Sequence, residues 1–180
     1  MEPRSAVVEF EEKEGRYTVH MGCQGTFGMR KQLAALLNVE PAKVRVLTKN
    51  VGGSFGMKSF AYPEYICLLH AAKMLGRPIK WTDERSSSFL SDQQGRDHDV
   101  EGELALDKDG NFLAVRLSLF SNMGGYLAAV GPNMATNNMV KNITSVYKTP
   151  AIEINTKCVF TNTTPISAYR GAGRPEANYY

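Results

Sequence analysis

Between residues 5 and 82 the spacing of apolar residues switches repeatedly between a period of two and a period near 3.6, and few folds accommodate that alternation. SAVVEFEEKEGRYTVHM, residues 5–21, alternates on both sides of Glu14-Gly15 and predicts a hairpin of two half-buried strands. Met29, Leu33, Ala34 and Leu37 then recur at helical spacing, which predicts a helix over Thr26–Leu37 with Asn38 as its stop. VRVLT, residues 44–48, is a short apolar strand. YPEYICLLHAAKML, residues 62–75, predicts a second helix, with Pro63 in its first turn and Gly76 ending it. IKWT, residues 79–82, closes a β-β-α-β-α-β unit, expected to be two-layered with a mixed sheet and to occupy residues 1–92.

Residues 93–180 have a different texture. HDVEGELALDKDGNFLAVRLSLFSNMG contains two long alternating strands around Asp107–Asn111, a hairpin signal. Gly124–Asn142 shows no strand and is expected to hold a short helix and loops. AIEINTKCVFTN, residues 151–162, returns to alternation, and TPISAYRGAGRPEANYY brings a glycine-rich turn into a helix. The second portion is therefore expected to be antiparallel and β-rich, giving an α+β chain. Because the chain stops at Tyr180, one turn into that helix, it is expected to be truncated there and to belong to a longer protein.

A hydrophobic content of 43% over 180 residues is enough for a domain-sized core or two smaller ones. The net charge of +3, with no basic run interleaved with aromatics, argues against nucleic-acid binding. No apolar run approaches the roughly 20 residues of a membrane span. The opening MEPRSAVVEFEEKEG has no signal-peptide pattern, so a cytoplasmic location is expected. Cys23, Cys67 and Cys158 are widely separated and form no C-x-x-C, which argues against a disulfide framework, a zinc site or an iron-sulfur cluster; each is expected to be an inert buried thiol. His20, His70 and His98 show no metal-ligand spacing, and His70 reads as a core or boundary residue. The tip D-K-D-G-N lacks the downstream glutamate of a calcium loop.

VGGSFGMKSF, residues 51–60, has the glycines, lysine and serine of a phosphate-binding loop, but not its register. G-x-x-x-x-G-K-[ST] counted from Gly52 meets Met57 at its second glycine, and counted from Gly53 meets Lys58. Three segments share another pattern, glycines beside one residue able to make a directed polar contact at the end of an expected strand: CQGTFGMR (23–30), VGGSFGMK (51–58) and AYRGAGR (168–174).

In order and spacing these segments resemble the molybdenum-cofactor-binding large subunit of the xanthine dehydrogenase, aldehyde oxidase and carbon monoxide dehydrogenase family. AYRGAGR is similar to the active-site loop of the form II members. Gly171 and Ala172 stand where the copper-dependent members carry a cysteine-containing AYxCSFR, so CO is not an expected substrate. Ser59 stands where purine-oxidising members carry a glutamate, so purine oxidation is not expected either. The resemblance implies a molybdenum–molybdopterin cofactor, with the cytosine dinucleotide as an admissible form, and no directly ligating protein side chain. It implies cofactor-binding roles for Gln24, whose amide would hold an oxygen ligand of molybdenum. Gly53, Phe55 and Gly56 would bring backbone N–H groups close to the metal's oxo group. Arg170, Gly171 and Ala172 would approach the cofactor through a tight turn.

Members of that family hydroxylate aldehydes or N-heterocycles with water as the oxygen source, and pass electrons through [2Fe-2S] clusters to FAD. The implied partners are the remainder of the large subunit, an iron-sulfur subunit, a flavin (FAD) subunit and a small-molecule substrate. The family's catalytic glutamate lies in a G-x-G-E motif that this sequence does not contain, so no catalytic residue is assigned and the isolated chain is expected to be inactive. Read from the residues alone, Gln24 is a polar strand-end residue, Phe55 a packing residue, and Arg170 a partner for Glu176 or a carbonyl. Two other functions remain open: a non-catalytic binding module that keeps the fold, and a nucleotide-binding protein using the 51–60 loop.

Overall fold

The computed structural model describes residues 1–128 and 130–180 and divides into two compact units, Met1–Asp92 and Gln93–Tyr180. In the first, β1 (Ser5–Glu11) and β2 (Arg16–Met21) form the hairpin, followed by α1 (Thr26–Leu37), β3 (Val44–Leu47), α2 (Pro63–Leu75), β4 (Ile79–Thr82) and α3 (Arg85–Ser91). The sheet order is β3-β2-β1-β4, with β2 and β3 parallel and the other pairs antiparallel, a mixed sheet as expected.

Register explains the core. Ile79, Val8, Val19 and Val46 align in one row across all four strands, and alternation puts that row on the face that α1 and α2 cover. Leu33 of α1 and Leu69 of α2 pack there with no exposed surface. Asn38 ends α1 in a left-handed conformation: its N–H donates to the Ala35 carbonyl and that of Val39 to Ala34, the Schellman arrangement. Tyr65, Leu69 and Ala72 form the buried stripe of α2. Cys67 and His70 consequently lie on its exposed side, contrary to the expectation of a buried thiol and a core or boundary histidine.

The helix α3 has no apolar period, being RSSSFLS, and is held by polar contacts instead. The Asp83 carboxylate accepts from the Glu84 N–H at 3.0 Å and from the Ser88 hydroxyl at 2.7 Å. Around it sits the buried guanidinium of Arg4, which donates to Asp92 at 2.6 Å, Glu64 at 2.8 Å, Ser91 at 3.2 Å and Asp83 at 3.4 Å, and lies 3.9 Å from the centre of the Tyr62 ring. Burial opposes ionisation of both Glu64 and Asp92. The Arg4 contacts outweigh it at Glu64, whose pKa falls below the usual value, but not at Asp92, whose pKa is raised.

The second unit contains β5 (His98–Leu106), β6 (Phe112–Gly124) and β7 (Ala151–Phe160) in the order β5-β6-β7, with α4 (Gly131–Asn133), a π-helical turn over Met134–Asn138, and α5 (Arg174–Tyr179). The hairpin β5–β6 is antiparallel as expected; β7 joins parallel to β6, so this sheet too is mixed. A parallel neighbour requires a crossover, supplied by the helical segment between β6 and β7. The short helix expected within Gly124–Asn142 forms there; residue 129 of that stretch lies outside the described residues. Leu117 and Leu119 of β6 pack against Ala135, Met139 and Ala177. β7 is an edge strand, and its Cys158 is exposed rather than buried. At the hairpin tip the Asp107 carboxylate accepts from the Asp109 and Asn111 N–H groups and the Asn111 amide, so it closes the turn on itself.

No described helix is long and apolar enough to cross a membrane.

Replacing Arg4 with Met leaves Glu64, Asp83 and Asp92 without their cation and is expected to destabilise the first unit by about 3–5 kcal/mol. The deficit is expected to shrink as pH falls, because protonation removes the unpaired charges. Urea unfolding followed by the fluorescence of Trp81, the single tryptophan, measures both effects.

Candidate functional site

The residues proposed from sequence fall in two groups: Gln24, Gly53, Phe55 and Gly56 in the first unit, and Arg170, Gly171 and Ala172 in the second. Gln24 follows β2 at the start of the connection to α1, and the 51–60 loop follows β3, the parallel neighbour of β2. This pairing places the two strand ends side by side. The backbone N–H of Gln24 donates to the Lys58 carbonyl at 3.1 Å, while its side-chain Oε1 accepts from the Ser54 hydroxyl at 2.5 Å and the Gly56 N–H at 2.9 Å. A backbone N–H can only donate, so it fixes which end of the amide is oxygen. The Nε2 donors of the exposed Gln24 therefore point away from the loop.

The loop itself is a sequence of left-handed residues: Gly53 at φ 95°, Phe55 at φ 54° and Gly56 at φ 107°. At Gly56 that geometry turns the N–H onto Gln24, and a side chain there would be strained. Phe55 is 45% exposed, so it is not a core residue. Gly56 donates to Gln24 rather than outward, which narrows the donors this loop can offer a bound group.

Lys58 is the residue that a nucleotide site would need outside. It is 1% exposed, and its ammonium donates to Glu2 at 2.9 Å. That contact, with a second hydrogen bond from the Gly52 N–H at 3.0 Å, holds the Glu2 carboxyl below the usual carboxylate pKa. Glu2 N–H donates in turn to the Gly52 carbonyl at 2.8 Å. Lys58 thus anchors the loop to the start of the chain. Gln32 of α1 fastens the far end, donating to the Ser59 carbonyl and accepting from the Ala61 N–H. Sequence reading missed Glu2, Gln32 and Ser54, since a polar residue near a turn carries no periodic signal of the contact it makes.

In the second unit the AYRGAGR segment is a loop with three successive left-handed residues, Gly171 at φ 111°, Ala172 at φ 50° and Gly173 at φ 91°. Ala172 donates its N–H to the Tyr169 carbonyl at 3.2 Å and accepts from the Asn138 amide at 2.9 Å. A Cβ on Gly173 would strike the Met134 carbonyl, so the loop packs its backbone directly on the π-helical turn. Arg96, which sequence reading did not single out, donates to the Arg170 carbonyl at 3.3 Å and pairs with Glu176 at 3.3 Å. Glu176 is therefore engaged by Arg96. Arg170 and Gly171 are exposed, and Ala172 half-buried.

Among the described residues no cluster of three or more His, Cys, Asp or Glu side chains is arranged to hold a metal ion. What the two loops offer is amide donors and closely approaching backbone, the chemistry suited to a group that brings its own ligands. The sequence matches the family model described as "Molybdopterin cofactor-binding domain" over residues 1–180. The chain belongs to that family.

Two similar curated proteins extend the comparison. The 6-hydroxypseudooxynicotine dehydrogenase complex subunit gamma of Paenarthrobacter nicotinovorans is 35% identical over 185 residues, covering 99% of this chain and 22% of that protein. The carbon monoxide dehydrogenase large chain of Hydrogenophaga pseudoflava is 29% identical, covering 92% of this chain and 20% of that protein. Among solved structures, quinoline 2-oxidoreductase from Pseudomonas putida 86 superposes with a TM-score of 0.90 at 30% identity, over 96% of this chain and 22% of the other. The chain spans about a fifth of the length of the curated relatives it matches. The exposed amide of Gln24, its oxygen already taken by the 51–60 loop, is of the donor type that a cofactor bringing its own metal ligands would accept.

Gly173→Ala is expected to destabilise the second unit by at least about 2 kcal/mol, from left-handed strain plus the clash with Met134. Gly28→Ala, inside α1 with open space around it, is expected to stabilise the first by about 0.5–1 kcal/mol. Denaturant midpoints of the two variants, read against the unsubstituted chain, test this pair of opposite signs.

Proposed function

We propose that this molybdopterin cofactor-binding chain forms part of the protein shell around the molybdenum centre of an oxidoreductase that hydroxylates aldehydes or N-heterocycles with water as the oxygen source. The observation that carries this reading is the fixed amide of Gln24. Two donors from the 51–60 loop occupy its oxygen, leaving Nε2 as a preoriented donor for an oxygen ligand. The cofactor, when bound, supplies the redox chemistry; the chain supplies orientation. Gln24 holds an oxygen ligand, the left-handed backbone around Phe55 shapes the approach, and the turn carrying Arg170, Gly171 and Ala172 presents its backbone to the cofactor.

The general base is assigned to another part of the whole protein, since the G-x-G-E motif that carries the family's catalytic glutamate does not occur in these residues. The names of similar proteins support the substrate class. They include a nicotine 6-hydroxylase large subunit and a nicotinate dehydrogenase large molybdopterin subunit, alongside the quinoline enzyme. The same reading assigns the remainder of a large subunit, an iron-sulfur subunit and an FAD subunit as partners, and the cytosine dinucleotide as an admissible cofactor form. A relative named as a complex subunit supports an assembly of this kind. A cytoplasmic location agrees with three cysteines that are all free thiols.

Metal and pterin analysis of the whole protein carrying this chain, produced in a host able to make the cofactor, tests the proposal. Gln24→Ala is expected to lower molybdenum occupancy well below stoichiometric while the protein stays folded. Unchanged occupancy in Gln24→Ala would remove Gln24 from the shell. A folded wild-type assembly that never acquires molybdenum would favour a non-catalytic binding module.

A further inference from the structure

Behind the 168–174 loop, within the second unit, lies a cavity of about 10 Å³. Its lining includes His98 at the start of β5, Ser121 of β6, Ser167 before the loop and Glu176 of α5. Each of these four side chains has one buried polar atom without a hydrogen-bond partner: His98 Nδ1, Ser121 Oγ, Ser167 Oγ and Glu176 Oε2. Ser121 and Ser167 are each 1% exposed and Glu176 9%. Ten buried side-chain atoms lack partners among the described residues, and four belong to this one cavity. Buried polar groups are otherwise almost always paired, so such a concentration points to a shared ligand.

We infer that the cavity is a binding site for one ordered water molecule, which ties β5, β6, the segment entering the loop and α5 together through these four atoms. A volume of about 10 Å³ is of the order that one water molecule occupies. The chemistry matches as well. Water accepts two hydrogen bonds and donates two; the two serine hydroxyls can donate, while the Glu176 carboxylate and a neutral imidazole nitrogen can accept. Burial lowers the pKa of His98, outweighing the nearby Glu176 and Asp97, which favour its charged form; this favours the neutral imidazole, in which one ring nitrogen is an acceptor.

The site bears on the loop through Glu176. One carboxylate oxygen holds Arg96, whose guanidinium also donates to the Arg170 carbonyl; the other faces the cavity. The water thereby fixes the carboxylate from which Arg96 holds the loop. This is a property of the protein alone and stands or falls apart from cofactor binding.

A crystal structure of the protein at about 1.5 Å resolution is the direct test. The expected result is a single peak within about 2.6–3.2 Å of at least three of the four atoms. An empty cavity, direct bonding of Glu176 to His98, or a peak at the shorter distances of a metal ion would overturn the inference. Nitrogen-15 shifts of His98 supply an independent readout: the expected neutral tautomer carries its proton on Nε2, and a proton on Nδ1 would oppose the assignment. In the double variant Ser121→Ala/Ser167→Ala, amide exchange at Ala172 and Arg174 is expected to accelerate about tenfold or more, while the β5–β6 ladder keeps its protection. Equal acceleration in both regions, or none in the loop, would count against a water that anchors it.

Discussion

A guanidinium with no exposed side-chain surface, surrounded by three carboxylates and an aromatic face, organises the first unit. Arg4 stands just before β1 and reaches the first turn of α2 through Glu64, the end of β4 through Asp83, and the end of α3 through Asp92. Its own carbonyl accepts from the Asp83 N–H at 2.9 Å, continuing the pairing of β1 with β4. A desolvated arginine is tolerated only when nearly every direction offers an acceptor or a π face, and this geometry specifies where four chain segments must lie. The row of Ile79, Val8, Val19 and Val46 supplies nonspecific burial; Arg4 supplies the directionality that such burial lacks.

The same division recurs at the loop of residues 51–60. Apolar groups from Met57, Phe60 and Tyr62 bury its floor, while Lys58, Glu2, Ser54 and Gln24 set the course of its backbone. The buried Lys58 is the inversion of a phosphate-binding lysine: its charge faces inward to a carboxylate, and the side chain presented outward is an amide. Membership of the molybdopterin cofactor-binding domain family and this local geometry therefore point the same way. A group that arrives with its own metal ligands needs fixed neutral donors more than it needs another cation.

How far the sequence could be read depended on whether polarity and exposure coincided. In β1, β2, α1 and α2 they did, so alternation, helical spacing, Asn38 and Gly76 marked the elements well. They parted at Arg4 and Lys58, charged residues that the fold buries. The serine-rich α3 was not visible because its stability comes from Asp83 and Arg4 rather than from an apolar stripe. β7 was visible as a strand but not as a parallel one, because alternation encodes which face a residue takes and not the direction of its neighbour. Gln24 came from family resemblance; residue patterns alone gave only a polar strand end. Arg96 carried no signal at all, since its role depends on a left-handed backbone at φ 72° that aims it at the loop from outside.

Phe55 and Ala172, one in each proposed cofactor loop, share a backbone state that side-chain-bearing residues avoid. In the first loop Gln24 accepts from the Ser54 hydroxyl and the Gly56 N–H, the residues on either side of Phe55; in the second the Asn138 amide donates to the Ala172 carbonyl. The positive φ of both residues is imposed as the polypeptide folds, so a group bound against either loop would not have to supply that strain.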